Sequence, residues 1–245
     1  MRMDTLQTKQ ILSLVRGGDY AHAGEEGAIE VALDDVPKGE QLLLLDVGCG
    51  LGGSAEYVRS NGWGSVIGVD ADGEMIEFAK QKYPNVEFHH CDVMNVAESL
   101  KKTVDVIYML NSFYSFADQQ GSLAELRKVV DQGAQMIIFD YMDKGGYRER
   151  ALPKEYDVVP FPLVLDNMDL MLNESGWMLD SIEDISDLYL LWYQVLMKRI
   201  EANQDEVLAI AGQEKYDSIY GIYSEILASI KEGALGGAVV RATAV

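Results

Sequence analysis

The stretch Leu45-Asp46-Val47-Gly48-Cys49-Gly50-Leu51-Gly52-Gly53-Ser54 constrains the fold of this 245-residue chain more than any other. The apolar run before it, residues 41–46, has the length and composition of a buried strand, and residues 52–61 read as a helix. A glycine-rich turn between the two lets the backbone bend sharply and lets a ligand come close to it. The helix N-terminus that follows offers free N–H groups. A glycine turn without a ligand would need the same bend, so the turn alone does not establish a site.

The turn sits in an alternating pattern. Strands are predicted over 41–46, 64–70, 86–90, 104–110 and 134–140, with helices over 52–61, 71–83 and 122–130 between them. Such alternation implies right-handed βαβ units and a parallel sheet. Beyond it, residues 161–175, 187–211 (broken near Asn203) and 216–231 read as helices, while 177–185 and 235–243 read as strands. The whole chain, 1–245, is read as a single domain, with residues 1–38 and about 145–232 contributing helices that cover the top of the site. No apolar run approaches the roughly 20 residues of a membrane span. Two cysteines make no disulfide framework, and the first residues lack a signal-peptide pattern, so a cytoplasmic setting is expected. The net charge of −20 repels a phosphate backbone and argues against nucleic acid as a partner. It fits an acidic, soluble surface and leaves the oligomeric state open.

Gly48, Gly50 and Gly53 also satisfy the Gly-x-Gly-x-x-Gly pattern of dinucleotide sites. Asp46 separates the two readings. A carboxylate at the end of the first strand opposes a pyrophosphate, which disfavours an NAD-type dehydrogenase, but suits a ligand that presents an ammonium group. Asp70 ends the second strand, where a carboxylate can accept the hydroxyls of a ribose. It can equally cap a helix. After the third strand, Asp92 could accept adenine amino hydrogens while Val93 offers its backbone N–H.

Together these elements resemble the class I S-adenosylmethionine-dependent methyltransferases over residues 40–140. The resemblance implies an α/β, Rossmann-like sheet of seven strands, mostly parallel with an antiparallel last strand, plus a helical lid. It also implies S-adenosylmethionine as cofactor, held by Asp46, Gly48, Cys49, Gly50, Asp70, Ala71, Met75, Asp92, Val93 and Leu110. Leu51-Gly52-Gly53, the Tyr20 segment and Ala234-Leu235-Gly236-Gly237 are similar to the small-amine N-methyltransferases of the phosphoethanolamine and sarcosine/dimethylglycine types. In that group an N-terminal segment covers the cofactor. Here it is residues 17–26, with glycines on both sides of Tyr20 and His22, as suits a mobile cover.

The chain departs from the phosphoethanolamine type after the fourth strand. Asn111 and Ser115 stand where that type has an acid and a histidine, which leaves its acid–base apparatus in doubt. Tyr141 and Tyr20 do match. The expected catalytic set is therefore His22, Tyr141 and Tyr20. His89 and His90, on a strand, are read as structural. Asn111 and Tyr114 are expected to meet the acceptor, although an Asx turn beside a buried aromatic would explain them too. Tyr216, Tyr220 and Tyr223 share a helix face. They could cage a methylated cation, with Tyr220 in contact, or simply pack. Tyr189, Trp192 and Tyr193 are read as core. No metal-ligand spacing appears. The expected function is methyl transfer to a small molecule, an amine nitrogen favoured. The alternatives are small-molecule O-methylation and S-adenosylmethionine binding without turnover.

Overall fold

The computed structural model describes residues 5–149 and 158–245. The chain runs α1 (Leu6–Arg16), α2 (Glu25–Ala32), β1 (Leu43–Val47), α3 (Gly53–Ser60), β2 (Ser65–Asp70), α4 (Gly73–Lys82), β3 (Glu87–His90), α5 (Val96–Ser99), β4 (Val104–Leu110), α6 (Gln119–Arg127), β5 (Val130–Asp143), α7 (Met168–Glu174), β6 (Trp177–Asp184), α8 (Ser186–Ala202), α9 (Gln204–Lys231) and β7 (Leu235–Ala244). The seven strands form one sheet in the order β3-β2-β1-β4-β5-β7-β6. Every neighbouring pair is parallel except those made by β7, which is antiparallel to both β5 and β6. This is the sheet that the sequence implies, with its reversed last strand.

The central strands are apolar on both faces because both are covered. Along β1, Leu44 joins a core with α1, α2, α3, α4, α8 and α9. Leu45 and Val47 join the opposite core, with α5, α6 and α7. Asp46 is the exception, a carboxylate 2% exposed in the middle of a buried strand.

Helix α1 is capped at both ends. Thr5 accepts the Thr8 N–H at 3.3 Å, and Gly17 takes the left-handed conformation. Its buried face, Ile11, Leu12 and Val15, packs with α8 and α9. The region 145–232 is more than a cover. Within it β6 forms the edge of the sheet and α7 lies on the opposite face from α8 and α9.

Three elements differ from the sequence reading. The helix expected over 161–175 is confined to Met168–Glu174 and the short 3-10 turn before it. Pro160 and Pro162 lack the N–H that a helix needs. Leu163 is instead drawn alongside β5, donating to Tyr141 O at 2.8 Å and accepting from Asp143 N at 2.9 Å. Strand β5 runs past the expected 134–140 at both ends because β7 pairs with it from Gln135 to Asp143. Helix α9 bends at Gly212 (φ 78°), which accounts for the gap in the helical pattern before Tyr216.

Candidate functional site

The glycine turn is anchored from both neighbouring strands. Gly48 N and Cys49 N donate to Val69 O at 2.8 and 3.0 Å. Ser112, just past β4, donates its hydroxyl to Val47 O at 2.6 Å. Gly48 has φ 79°, and a Cβ there would overlap the Ser112 side chain. Gly53 opens α3, and a Cβ there would lie 2.5 Å from Asp19 O, so the N-terminal segment crosses directly over the start of that helix. Asp70 ties the second strand to the turn: its Oδ2 accepts Gly50 N at 2.8 Å and its Oδ1 accepts Asp72 N at 2.9 Å.

These turns open onto a cavity of about 530 Å³ at the carboxyl ends of β1, β2 and β4. That volume suits a nucleoside-sized ligand. Its walls include Gly48, Gly50, Asp70, Ala71, Met75, Asp92, Val93, Asn111 and Tyr114, so nine of the residues singled out in the sequence share one space. Asp70, Asp72, Asp92 and Asp118 face it, against one basic residue, Lys9 of α1. This charge balance repels a pyrophosphate and favours a cationic ligand.

Asp46, Cys49 and Leu110 lie beneath the cavity and do not line it. The Asp46 carboxyl is pushed up to about 8, by burial first and by Asp70, while the neighbouring Tyr108 hydroxyl pulls the other way. Its Oδ2 has no hydrogen-bond partner among the described residues. A buried carboxylate oxygen left in that condition is costly, and a donor from above would relieve it. Cys49 packs into the core, where burial raises its thiol well above the usual value.

The far end of the cavity is organised by Asp140 at the carboxyl end of β5. Its Oδ2 accepts Tyr114 N at 3.0 Å, and its Oδ1 accepts Tyr141 N at 2.7 Å and the Asn111 side-chain amide at 3.4 Å. Burial raises this carboxyl to about 7 against the pull of the Tyr114 and Tyr141 N–H groups. Asn111 is held in the left-handed region, φ 50°, which asparagine tolerates. It also accepts from the Tyr189 hydroxyl at 3.2 Å. Tyr114 meets Tyr141 edge-on at a ring separation of 5.1 Å. Tyr141 in turn packs on Tyr189 and shares a hydroxyl–hydroxyl hydrogen bond with Tyr193. Tyr189 and Tyr193 are core residues as expected, and they support this end of the site from behind Asn111 and Tyr141.

The expected catalytic set is not gathered in the cavity. His22 is buried, with Nε2 2.9 Å from the Ser54 hydroxyl. Burial, and then the Arg16 charge, lower it to about 3, so it is neutral and tied to α3. Tyr20 donates to Glu26 at 3.2 Å on the outer side of the cover. Tyr141 stands one layer behind Tyr114, its hydroxyl raised well above the usual value by burial. Tyr220 stacks on Tyr216 and donates to Glu201 at 3.1 Å, away from the cavity. The helix-face spacing of these tyrosines does not make a cage, because Tyr216 and Tyr223 are buried in the core, Tyr223 against Tyr193 and Arg16, and none of the three lines the cavity.

Ser112, Asp140 and Arg16 escape a motif reading. Ser112 and Asp140 sit one residue from positions that it does find. Arg16 resembles any basic residue closing a helix.

Residues 45–138 match the family described as a methyltransferase domain. Over 198 residues the chain is 29% identical to phosphoethanolamine N-methyltransferase of Triticum aestivum, covering 77% of this chain and 38% of that one. The chain thus spans about two-fifths of the length of that relative. Among solved structures, it is similar to phosphoethanolamine N-methyltransferase 2 of Haemonchus contortus in complex with phosphomonomethylethanolamine and S-adenosylhomocysteine. The TM-score is 0.83 at 18% identity, over 99% of this chain and 59% of that one. A Galdieria sulphuraria protein named for sarcosine dimethylglycine methylation superposes with a TM-score of 0.82 at 14% identity, over 99% and 98% of the two chains. The chain therefore has the class I methyltransferase fold and resembles the small-amine types within it.

Proposed function

We propose that this chain, a methyltransferase domain of the class I fold, transfers the methyl group of S-adenosylmethionine to a small molecule, with an amine nitrogen as the preferred nucleophile. The observation that carries the reading is the acid-lined cavity above an Asp46 oxygen without a partner. Asp46 suits the ammonium of the cofactor's methionine end. Asp70, already oriented by two backbone N–H groups, has lone pairs left for ribose hydroxyls. Asp92, on the cavity wall, suits the adenine amino group. The cofactor supplies a methyl group already activated by its sulfonium.

What remains for the protein is alignment. Orienting a nucleophile against a fixed electrophile is worth roughly 7–11 kcal/mol. Asn111 presents its side chain on the cavity wall with both ends of the amide engaged, by Asp140 and by Tyr189, so it is held in one orientation. Tyr114 packs beside it on a wall closed from behind by Tyr141 and Tyr193. Such a site excludes water and holds an uncharged amine in line. His22 and Tyr20 serve the cover itself. The two cysteines, Cys49 and Cys91, are buried and unpaired, in keeping with a reduced, cytoplasmic setting. No helix among the described residues is long and apolar enough to cross a membrane.

The test is calorimetric titration with S-adenosylmethionine, S-adenosylhomocysteine and NAD, followed by methyl transfer to a panel of amines and phenols. Binding of both sulfur nucleosides and transfer to amines is the expected result. Transfer to phenols alone would make the protein an O-methyltransferase. Binding without any transfer would make it a cofactor-binding protein without turnover. Binding of NAD alone would overturn the proposal.

A further inference from the structure

Asp19, Asp46 and Asp140 are the acids buried among the described residues, and each is satisfied differently. Asp19 pairs with Lys82 at 2.5 Å and accepts the Tyr83 hydroxyl at 2.5 Å. Asp46 keeps an oxygen without a partner beneath the cofactor end of the cavity. Asp140, 0% exposed, has no cation among the described residues and is instead surrounded by hydrogen-bond donors. Its Oδ1 takes the Tyr141 N–H at 2.7 Å and the Asn111 side-chain amide at 3.4 Å, and its Oδ2 takes the Tyr114 N–H at 3.0 Å. The Phe113 N–H adds a further donor.

This shell suits a carboxylate, which only accepts, and not a carboxylic acid, which must donate. A proton on either oxygen sets a donor against a donor. The donors from Phe113, Tyr114 and Tyr141 belong to the backbone and are fixed by it. The Asn111 amide is the longest of the measured contacts, and it is a side chain that can turn. Its own backbone is held, by φ 50° and by a bond from Asn111 N to Phe139 O at 2.8 Å. Protonation of Asp140 is therefore felt as rotation of the Asn111 side chain, which lies on the cavity wall.

That rotation matters for chemistry. The amide oxygen is used once, by the Tyr189 hydroxyl at 3.2 Å, and its second lone pair can accept a hydrogen from the acceptor. The lone pair of the nucleophile then stays free for the methyl group. An amide turned over would present its NH2 to that lone pair and compete for it. The titrating groups against Asp140 are phenols: Tyr114 from the turn after β4, Tyr141 on its own strand and Tyr189 from α8. Burial raises all three, so they stay neutral while the carboxyl, pushed up to about 7 by burial, titrates. Its neighbour on β7 is Ala238, which carries no charge.

We propose that Asp140 is a positioning residue for the acceptor: as a carboxylate it turns the Asn111 amide so that the amide oxygen meets the nucleophile, and on protonation it lets that amide go. This rests on the methyltransferase reading above and adds to it the group that sets the acceptor geometry.

Nitrogen-15 labelling of asparagine side chains reads the coupling in the wild-type protein, with the Asn111 signal assigned through Asn111→Ala. That signal shifts with a single ionisation near pH 7, and the shift is absent in Asp140→Asn. At saturating cofactor, wild-type kcat rises with pH through the same ionisation. Asp140→Asn removes this step and lowers kcat about tenfold at pH 8.5, with affinity for S-adenosylhomocysteine within about twofold of wild type. Because Asp140 acts through Asn111, the double variant loses no more turnover than Asn111→Ala alone. An Asn111 signal that stays flat from pH 6 to 8 in the wild type overturns the proposal, whether or not Asp140→Asn folds. So does a double variant whose losses simply add, which would make Asp140 structural. An Asn111 signal and a kcat that both follow Asp140, in a protein that transfers to phenols alone, would sink the amine reading and leave the positioning role standing.

Discussion

The two ends of the cavity are built differently. At the cofactor end, carboxylates at successive strand ends are positioned by backbone. Asp70 is fixed by the N–H groups of Gly50 and Asp72, and Asp92 by that of Met94 at 2.9 Å. At the acceptor end, side chains are positioned by other side chains. Asn111, Asp140 and Tyr189 hold one another, and Tyr141 and Tyr193 hold a second layer. A backbone-built site is a short stretch of chain and tolerates change around it. A site built from side chains draws on the turn after β4, on β5 and on α8 at once, so each member depends on the others.

The sharpest break between the two ends comes from Asp70→Ala. Loss of S-adenosylmethionine affinity by about a hundredfold or more, equivalent to about 2.7 kcal/mol, is expected by calorimetry, with the fold intact by circular dichroism. Asn111→Ala should do the opposite. Methyl transfer falls about tenfold to a hundredfold in kcat/KM, a cost of about 1.4–2.7 kcal/mol, while cofactor affinity is maintained. If both variants lose cofactor binding equally, the division into two ends fails.

Proton linkage sharpens the comparison. A cofactor ammonium against Asp46, whose carboxyl sits at about 8 when buried alone, favours its ionised form. Binding at pH 7 should therefore release a proton, seen as a binding enthalpy that varies with the ionisation enthalpy of the buffer. Asp46→Asn should remove that variation. The same raised values set the stability profile. Asp46 and Asp140 are raised from 3.8 to about 8 and about 7, so the folded state binds more protons than the unfolded one across that window. Stability then falls as pH rises from about 4 towards 8. His22, lowered from 6.5 to about 3, acts oppositely and withdraws stability as pH falls below 6.5. Thermal midpoints between pH 5.5 and 8.5 should decline in the wild type and decline less steeply in Asp140→Asn, where Asp46 alone remains raised.

The smallest effect is expected at His22. His22→Ala removes a buried hydrogen bond to Ser54 and should lower stability by about 1–3 kcal/mol, with turnover per folded molecule nearly unchanged. A large loss of turnover in a stable variant would restore His22 to the chemistry.

The difference in construction also explains what the sequence reveals. The sheet, its reversed last strand and nine cavity residues are legible because each rests on a local pattern: a buried run, a glycine turn, an acid at a strand end. His22 lies away from the cavity for a physical reason. Glycines around it suggest a mobile cover, but Gly53 lets the segment seat so closely on α3 that the ring is sealed. Tyr220 shares its helix-face spacing with Tyr223, and only the packing of α9 on α8 decides which of them turns inward.

The position of β7 between β5 and β6 has a consequence for how the chain is made. As the ribosome delivers the polypeptide in order, β5 and β6 both emerge with a hydrogen-bonding edge that has no neighbour until residues 235–244 arrive. The sheet cannot be completed during synthesis of the first 234 residues. A nascent chain at that stage is open to pairing with a stranger, and the last strand acts as a keystone that closes both edges in a single step.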